Sequence, residues 1–347
     1  MKRTRSVDIP DNELPAGIGE DPSITFQVSI DFDDELSLQR QITLSSSIKE
    51  WEIEYESITI AEKIYTGFSS VLYRANWYGE VALKLAYIDD ITIEAQDRLQ
   101  LFKLEVAMMK KIRHENLVLF CGACLNPPNI GIVTSWINGH SVYHKIHVQR
   151  EPLSASLVTS IAYQTVLAMS YLHSRGCIHK DLRSKNVFIE DGSKAIITDY
   201  GVSTIPNKIS IRNAIGIPKE RLIYLSPEIL VNLRHGMLLV NHTKQSDVFS
   251  FGIFFYEMLT SRLPFKCLDG HTIIWKVGNG YCAPCHPNKI RYEAKQILIE
   301  CWHFSPSDRA TFTDLHSELK KLKARYRKPT RSPSTPNRID KTCSTFT

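Results

Sequence analysis

The stretch Ile178-His179-Lys180-Asp181-Leu182-Arg183-Ser184-Lys185-Asn186 decides how this chain reads. It is followed by an apolar, β-prone run, Val187-Phe188-Ile189, a turn, Glu190-Asp191-Gly192-Ser193, and a return strand, Ala195-Ile196-Ile197. Thr198-Asp199-Tyr200-Gly201 closes the unit. A hairpin flanked by two short loops aims Asp181, Asn186 and Asp199 at one place. A carboxylate beside an attacking hydroxyl can orient it and accept its proton, whereas an amide oxygen and a second carboxylate are hard ligands of the kind Mg²⁺ uses. The set suits chemistry on a phosphorylated nucleotide.

Upstream, a strand-and-turn pattern runs from Trp51-Glu52-Ile53 through Ile58-Thr59-Ile60 and the segment from Ile64 to Tyr73, then from Trp77 to Leu85. Lys84 ends an otherwise apolar strand. It is either a surface charge at an edge or a buried ammonium that needs anions. From about Glu94 to Lys111 the residues Phe102, Glu105, Met109 and Ile112 fall at helical spacing, which sets Glu105 within an apolar face. A buried carboxylate needs a cation, and Lys84 is the nearest candidate. Leu117 to Phe120 and Ile130 to Thr134 complete a small antiparallel sheet, and Ser135 to Gly139 form a connector.

Downstream the chain turns helical. Leu157 to His173 is apolar nearly all round, with Gly176 as its stop. Ser246-Asp247 caps a second buried helix, Val248 to Leu259, and amphipathic helices follow around Thr272 to Val277, Lys295 to Trp302 and Phe312 to Leu322. The plan is α+β: a β-rich small lobe over 49–135, a hinge at 135–139 and a helical large lobe over 140–325.

Composition bounds the alternatives. The chain has 347 residues, 43% of them hydrophobic, enough for a sizeable core, and a net charge of +5 that argues for no nucleic-acid partner. Eight cysteines are scattered without a disulfide framework. Cys121-Gly122-Ala123-Cys124 and Cys282-Ala283-Pro284-Cys285-His286 are formally two zinc half-sites, and the second is formally a haem-attachment motif, but isolated thiols account for both. The basic start runs directly into the acidic span from Asp8 to Glu13, where a signal peptide needs its apolar segment, and no apolar run reaches membrane-spanning length. The chain reads as soluble and intracellular. Residues 1–48 are an acidic, then serine-rich leader expected to be disordered, although Ile24 to Ile30 has strand character, and 326–347 are a basic, proline-interrupted tail.

From Trp51 to about Leu322 the chain resembles a eukaryotic protein kinase. Val81-Ala82-Leu83-Lys84 matches the strand lysine, Glu105 its partner, His179-Lys180-Asp181 with Asn186 the catalytic loop, and Asp199-Tyr200-Gly201 the metal loop. Ser226-Pro227-Glu228 matches the end of the activation segment, Asp247 to Gly252 the buried helix, and Arg309 the partner of Glu228. Within the kinases it is similar to the Raf branch and above all to kinase suppressor of Ras, through Trp51-Glu52-Ile53, the run from Arg113 to Cys124 and the catalytic loop with lysine at 180.

That resemblance implies the bilobal kinase fold, ATP and Mg²⁺ as ligands, and a cytoplasmic protein brought to the plasma membrane by partners. It implies a scaffold or allosteric activator for Raf and MAP kinase kinase, with weak or absent phosphotransfer. The alternative is a working serine/threonine kinase acting on MAP kinase kinase, with tyrosine specificity as a third reading. Asp181 would be the base, assisted by Lys180 and Asn186, and its loss would cost about 10²- to 10⁴-fold in rate. Asn186 and Asp199 would hold the metal. The nucleotide would meet Ile64, Gly67, Leu72, Ala82, Lys84, Glu105, Thr134 and Phe188, with backbone hydrogen bonds from Ser135 to Ile137 through Trp136. Trp51 and Arg113 would lie on a side-to-side dimer surface for a Raf-family kinase or a second copy, and Ile273, Ile274 and Trp275 would face MAP kinase kinase. Ser203, Thr204 and Ser210 are candidate phosphate acceptors.

Two departures bear on catalysis. Tyr65 and Ser70 replace glycines of the phosphate loop, leaving Gly67, which stiffens it. Lys180 keeps a charge where arginine is usual but loses the planar fork.

Overall fold

The computed structural model describes residues 49–67, 70–86, 99, 102–103, 105–200, 217–235, 242–281 and 290–327. The leader, the tail beyond Arg327, Gly201, the three candidate phosphate acceptors and the second cysteine pair lie outside these residues.

Five strands form an antiparallel sheet in the order β1-β2-β3-β5-β4: β1 Thr59–Thr66, β2 Ser70–Asn76, β3 Glu80–Ala86, β4 Phe120–Cys124 and β5 Gly131–Ser135. Alternation sorts their side chains. Val81 and Leu83 of β3 join Ile53, Ile58, Ala75, Cys124 and Val133 in one apolar cluster. Ala82 and Lys84 take the opposite face, with their cross-strand partners Leu72, Ile132 and Thr134. β4 begins later than the sequence pattern suggests. Leu117 forms an isolated bridge to Ile197, and the Cys121 to Cys124 run is itself the strand. Gly122 is required there, since a Cβ would lie 2.7 Å from the backbone oxygen of Trp51. Among the described residues no group of three or more His, Cys, Asp or Glu could hold a metal.

The second sheet has three strands in the order β6-β7-β8: Gly139–Ser141, Val187–Glu190 and Lys194–Ile197. The hairpin is where the sequence puts it, turning through Asp191 at φ 48° and Gly192 at φ 73°. The strand β6, directly after the hinge, was not read from sequence.

Helices build the large lobe. α1 (Ala155–Ser174) is capped by Ser154, whose side chain accepts from Leu157 N, and ends at Gly176, φ 74°. By length and composition α1 is the one helix among the described residues able to cross a membrane. It is instead a core helix, packed against a sheet and two other helices. Next come α2 (Lys219–Leu222), α3 (Pro227–Arg234), α4 (Lys244–Thr260), α5 (Gly270–Gly278), α6 (Tyr292–Cys301) and α7 (Phe312–Arg327). α2 and α3 escaped the sequence reading. α4 starts earlier than expected because Thr243 and Ser246 form a reciprocal capping box. Asp247 is therefore inside the helix and available for another task.

Candidate functional site

Asp247 does that task. Its side chain is almost fully buried, and its oxygens accept from His179 N at 2.8 Å, Lys180 N at 2.9 Å and His173 Nε2 at 2.8 Å. These bonds hold Lys180 at φ 73°, a left-handed conformation unusual for a side-chain-bearing residue. His179 is fully buried, and burial drives its pKa below the usual range despite the surrounding carboxylates. Its Nδ1 accepts from Asp181 N at 3.3 Å.

A second buried carboxylate braces the same loop from below. Glu257 of α4 has no exposed surface and receives Ser184 Oγ at 2.7 Å, His147 Nε2 at 2.7 Å and the Tyr224 hydroxyl. One residue thus ties the catalytic loop to the turn after the hinge and to the segment before α3. Burial and the adjacent Glu257 push the Tyr224 phenol well up, so it stays a donor. Neither Asp247 nor Glu257 was assigned a positioning role from sequence. The signal was present: an acid within an apolar helical run, the same reasoning that singled out Glu105.

Downstream, Arg309 and Glu228 form the expected pair in bidentate geometry, Nη1 to Oε1 at 2.8 Å and Nη2 to Oε2 at 2.6 Å. Burial alone would raise the Glu228 carboxyl, but Arg309 prevails and holds it below the usual range. Arg309 also donates to the carbonyls of His303, Phe304 and Gln245.

The three groups aimed by the hairpin sit as follows. Asp181 Oδ2 accepts from Arg183 Nε at 3.2 Å and Asn186 Nδ2 at 3.1 Å, while Oδ1 lies 3.5 Å from Arg221 Nε. Asn186 Nδ2 also donates to the Asp181 carbonyl at 2.8 Å, so its amide oxygen is turned away from Asp181. Asp199, at φ 61°, pairs with Lys84 Nζ at 2.9 Å. Burial opposes its ionisation, but Lys84, then Arg183 and His179, hold its pKa below the ordinary value. The amide oxygen of Asn186 and a partly exposed carboxylate at Asp199 fit a hard divalent cation.

One sequence expectation fails here. Lys84 pairs with Asp199, not with Glu105, and among the described residues a cation facing Glu105 is Lys180, Nζ to Oε1 at 4.0 Å. Sequence distance offers Lys84 to Glu105, but a carboxylate much further along the chain, Asp199, takes its ammonium. Tyr200 behaves as its chemistry requires: fully buried, it donates to Val118 O at 2.9 Å.

The remaining expected positions are arranged around these. Leu72, Ala82, Lys84 and Thr134 share one sheet face, and Phe188 follows Asn186 on β7. Ile64 is exposed on β1. The Tyr65 ring lies over Gly67, where a Cβ would come within 2.9 Å of Tyr65 Cε1. At the hinge, Ser135 N donates to Leu119 O at 2.9 Å and Trp136 N to Glu80 O at 3.3 Å, while Ile137 N has no such partner among the described residues. Arg74 stacks on the Trp136 ring at 5.1 Å, fixing the hinge to β2.

On the flank, the Arg113 guanidinium lies 5.1 Å from the Trp51 ring, which stacks on Phe120 at 5.6 Å. Trp275 is 54% exposed and stacks on Tyr281 at 6.1 Å. Ile273, expected on the same surface, is fully buried and belongs to the core. It points inward because its turn of α5 packs against the lobe, leaving Trp275 outside.

A strand lysine paired with a loop aspartate, a loop braced by two buried acids and a two-lobed frame suit a protein kinase fold. The family model for protein tyrosine and serine/threonine kinases matches residues 58–319. The chain belongs to the protein kinase family. Kinase membership implies use of ATP and a divalent metal in general. Among curated proteins, this kinase domain is similar to kinase suppressor of Ras 2 of Homo sapiens and of Mus musculus, each 36% identical over 286 residues. The alignment covers 81% of this chain and 30% of each relative, so the chain matches less than a third of their length.

Proposed function

We propose that this kinase domain binds Mg²⁺-ATP and works chiefly as a scaffold or allosteric activator of the kind the name kinase suppressor of Ras describes, with low phosphotransfer. One observation carries this reading: the polar groups of the cleft are paired with each other. Lys84 neutralises Asp199, Lys180 faces Glu105, and Asp181 lies between two guanidiniums. Efficient transfer needs the strand lysine on its helix glutamate and the metal aspartate on the ion. Here both must exchange partners first.

In this reading ATP lies against Leu72, Ala82 and Thr134 on one side and Phe188 on the other, with the Ile137 amide as the hinge donor. Asn186 and Asp199 would hold Mg²⁺, which supplies neutralisation of phosphate charge. Lys84 would then leave Asp199 for the phosphates, and Asp181 would orient an acceptor hydroxyl. Gly67 under the Tyr65 ring offers less backbone to the phosphates than a loop with three glycines. Trp51 and Arg113 supply a stacked cation on an open flank suited to a Raf-family kinase or a second copy, and Trp275 an exposed aromatic suited to MAP kinase kinase. Cytoplasmic residence with recruitment through those partners follows from the same reading. A working serine/threonine kinase is the second reading, favoured by the intact Lys84, Asp181, Asn186 and Asp199.

Transfer of labelled phosphate from Mg²⁺-ATP to a catalytically dead MAP kinase kinase, beside an Asp199→Asn control, separates the two. Slow or undetectable transfer with retained target binding supports the scaffold. Rapid transfer that vanishes in the control establishes the enzyme.

A further inference from the structure

The Arg221 contact on Asp181 also bears on which acceptor can reach that carboxylate. Its Oδ2 is already used by Arg183 and Asn186, so Oδ1 is the oxygen left for an acceptor hydroxyl. Arg221 of α2 stands 3.5 Å from it. A general base must come within about 2.6–3.2 Å of the group it deprotonates, so the guanidinium and an incoming hydroxyl compete for one oxygen.

The contact is built to be exchanged. The Arg221 backbone is fixed, its N–H donating to Pro218 O at 2.8 Å and its carbonyl accepting from Tyr224 N at 3.1 Å. Its side chain is 40% exposed, against 22% for Arg183, so the guanidinium can swing while α2 stays in place. The loop that carries Asp181 is cationic, with Arg183 and Lys185 close in sequence and the Lys185 ammonium 4.7 Å from the Tyr143 ring. Glu220, beside Arg221 on α2, is the carboxylate that opposes them. A neutral peptide offers Arg221 nothing in exchange for Asp181. A carboxylate or phosphate beside the acceptor does.

We infer that Arg221 is a specificity-determining gate, released from Asp181 by an anionic side chain flanking the acceptor residue of a peptide substrate. With the gate open and Mg²⁺-ATP bound, the acceptor oxygen bonds to the γ-phosphorus and the bond from that phosphorus to the β,γ-bridging oxygen breaks. ADP leaves with the electron pair, and the hydroxyl proton passes to Asp181 Oδ1. This inference rests on the cleft's being a peptide-phosphorylating site, even a slow one.

The test uses the full chain and two labelled peptides identical except that the central serine is flanked by glutamates in one and glutamines in the other. Fluorescence anisotropy without nucleotide is expected to give about fivefold tighter binding of the glutamate peptide, the share of a partly exposed ion pair. Arg221→Ala is expected to erase the preference and to raise single-turnover transfer to the glutamine peptide, while Arg221→Lys retains part of the preference. Equal binding of both peptides by the parent, binding of neither, or an unchanged preference in Arg221→Ala overturns the gate. Fast parental turnover on the glutamine peptide also overturns it, and the absolute turnover on the glutamate peptide separately judges the low-transfer reading.

Discussion

The floor and the roof of the cleft are built in different ways. On the floor, the catalytic loop hangs from Asp247 and Glu257, two buried acids of α4 that accept short hydrogen bonds from backbone, hydroxyl and imidazole donors. On the roof, Lys84 is engaged with Asp199 through an ion pair at 2.9 Å, each about 30% exposed, while the buried Glu105 faces Lys180 at 4.0 Å. Buried hydrogen-bonded carboxylates are costly to strip of their donors, whereas a solvent-reached pair such as Lys84 with Asp199 is exchanged at little cost. The floor therefore behaves as fixed apparatus, and the roof as the part that nucleotide and metal can rearrange.

The sharpest way to break that contrast is Asp247→Ala. It strips three donors of a buried acceptor and should lower stability by about 3–5 kcal/mol, read from the urea midpoint. A loss below about 1 kcal/mol would mean that the floor is no firmer than the roof.

A pH experiment comes next in size. His242 lies among Asp247, Arg221, Lys180 and Asp181, and burial, assisted by the two cations against the two acids, lowers its pKa to about 4. The unfolded imidazole titrates near about 6.5. Between these values the unfolded chain binds the extra proton, so the stabilisation is complete above the unfolded pKa and is lost as pH falls toward the folded one. Denaturation of the parent and His242→Asn at neutral pH and near pH 5 should show the parent losing on the order of 2 kcal/mol more. Parallel losses would remove His242 from the floor.

The smallest effect is expected at Tyr200→Phe. Removing the hydroxyl leaves Val118 O without that donor and should cost about 1 kcal/mol in thermal or urea denaturation. A stabilised variant would show that the hydroxyl is poorly accommodated in the core.

The division between floor and roof also describes what the sequence could and could not tell. The hairpin and the core helix α1 were legible because period-2 and helical patterns and turn chemistry are local, whereas the Arg309 to Glu228 pair was legible only through the kinase resemblance. The partner of Lys84 was not, because Glu105 and Asp199 are both distant carboxylates and only their placement in the fold decides between them. Glu257 could have been found as an acid in the run Phe254-Phe255-Tyr256-Glu257-Met258. Arg221 could not: it is half-exposed on a four-residue helix, and nothing in its neighbours marks it as facing Asp181.

In the proposed function, nucleotide and metal replace the Lys84 to Asp199 pair of the roof. Isothermal titration calorimetry of the full chain with a non-hydrolysable ATP analogue, with and without Mg²⁺, tests it most directly, alongside Asp199→Asn. The account predicts binding that Mg²⁺ strengthens in the parent and no longer strengthens in Asp199→Asn. Absence of binding, or binding indifferent to Mg²⁺ in the parent, would contradict it.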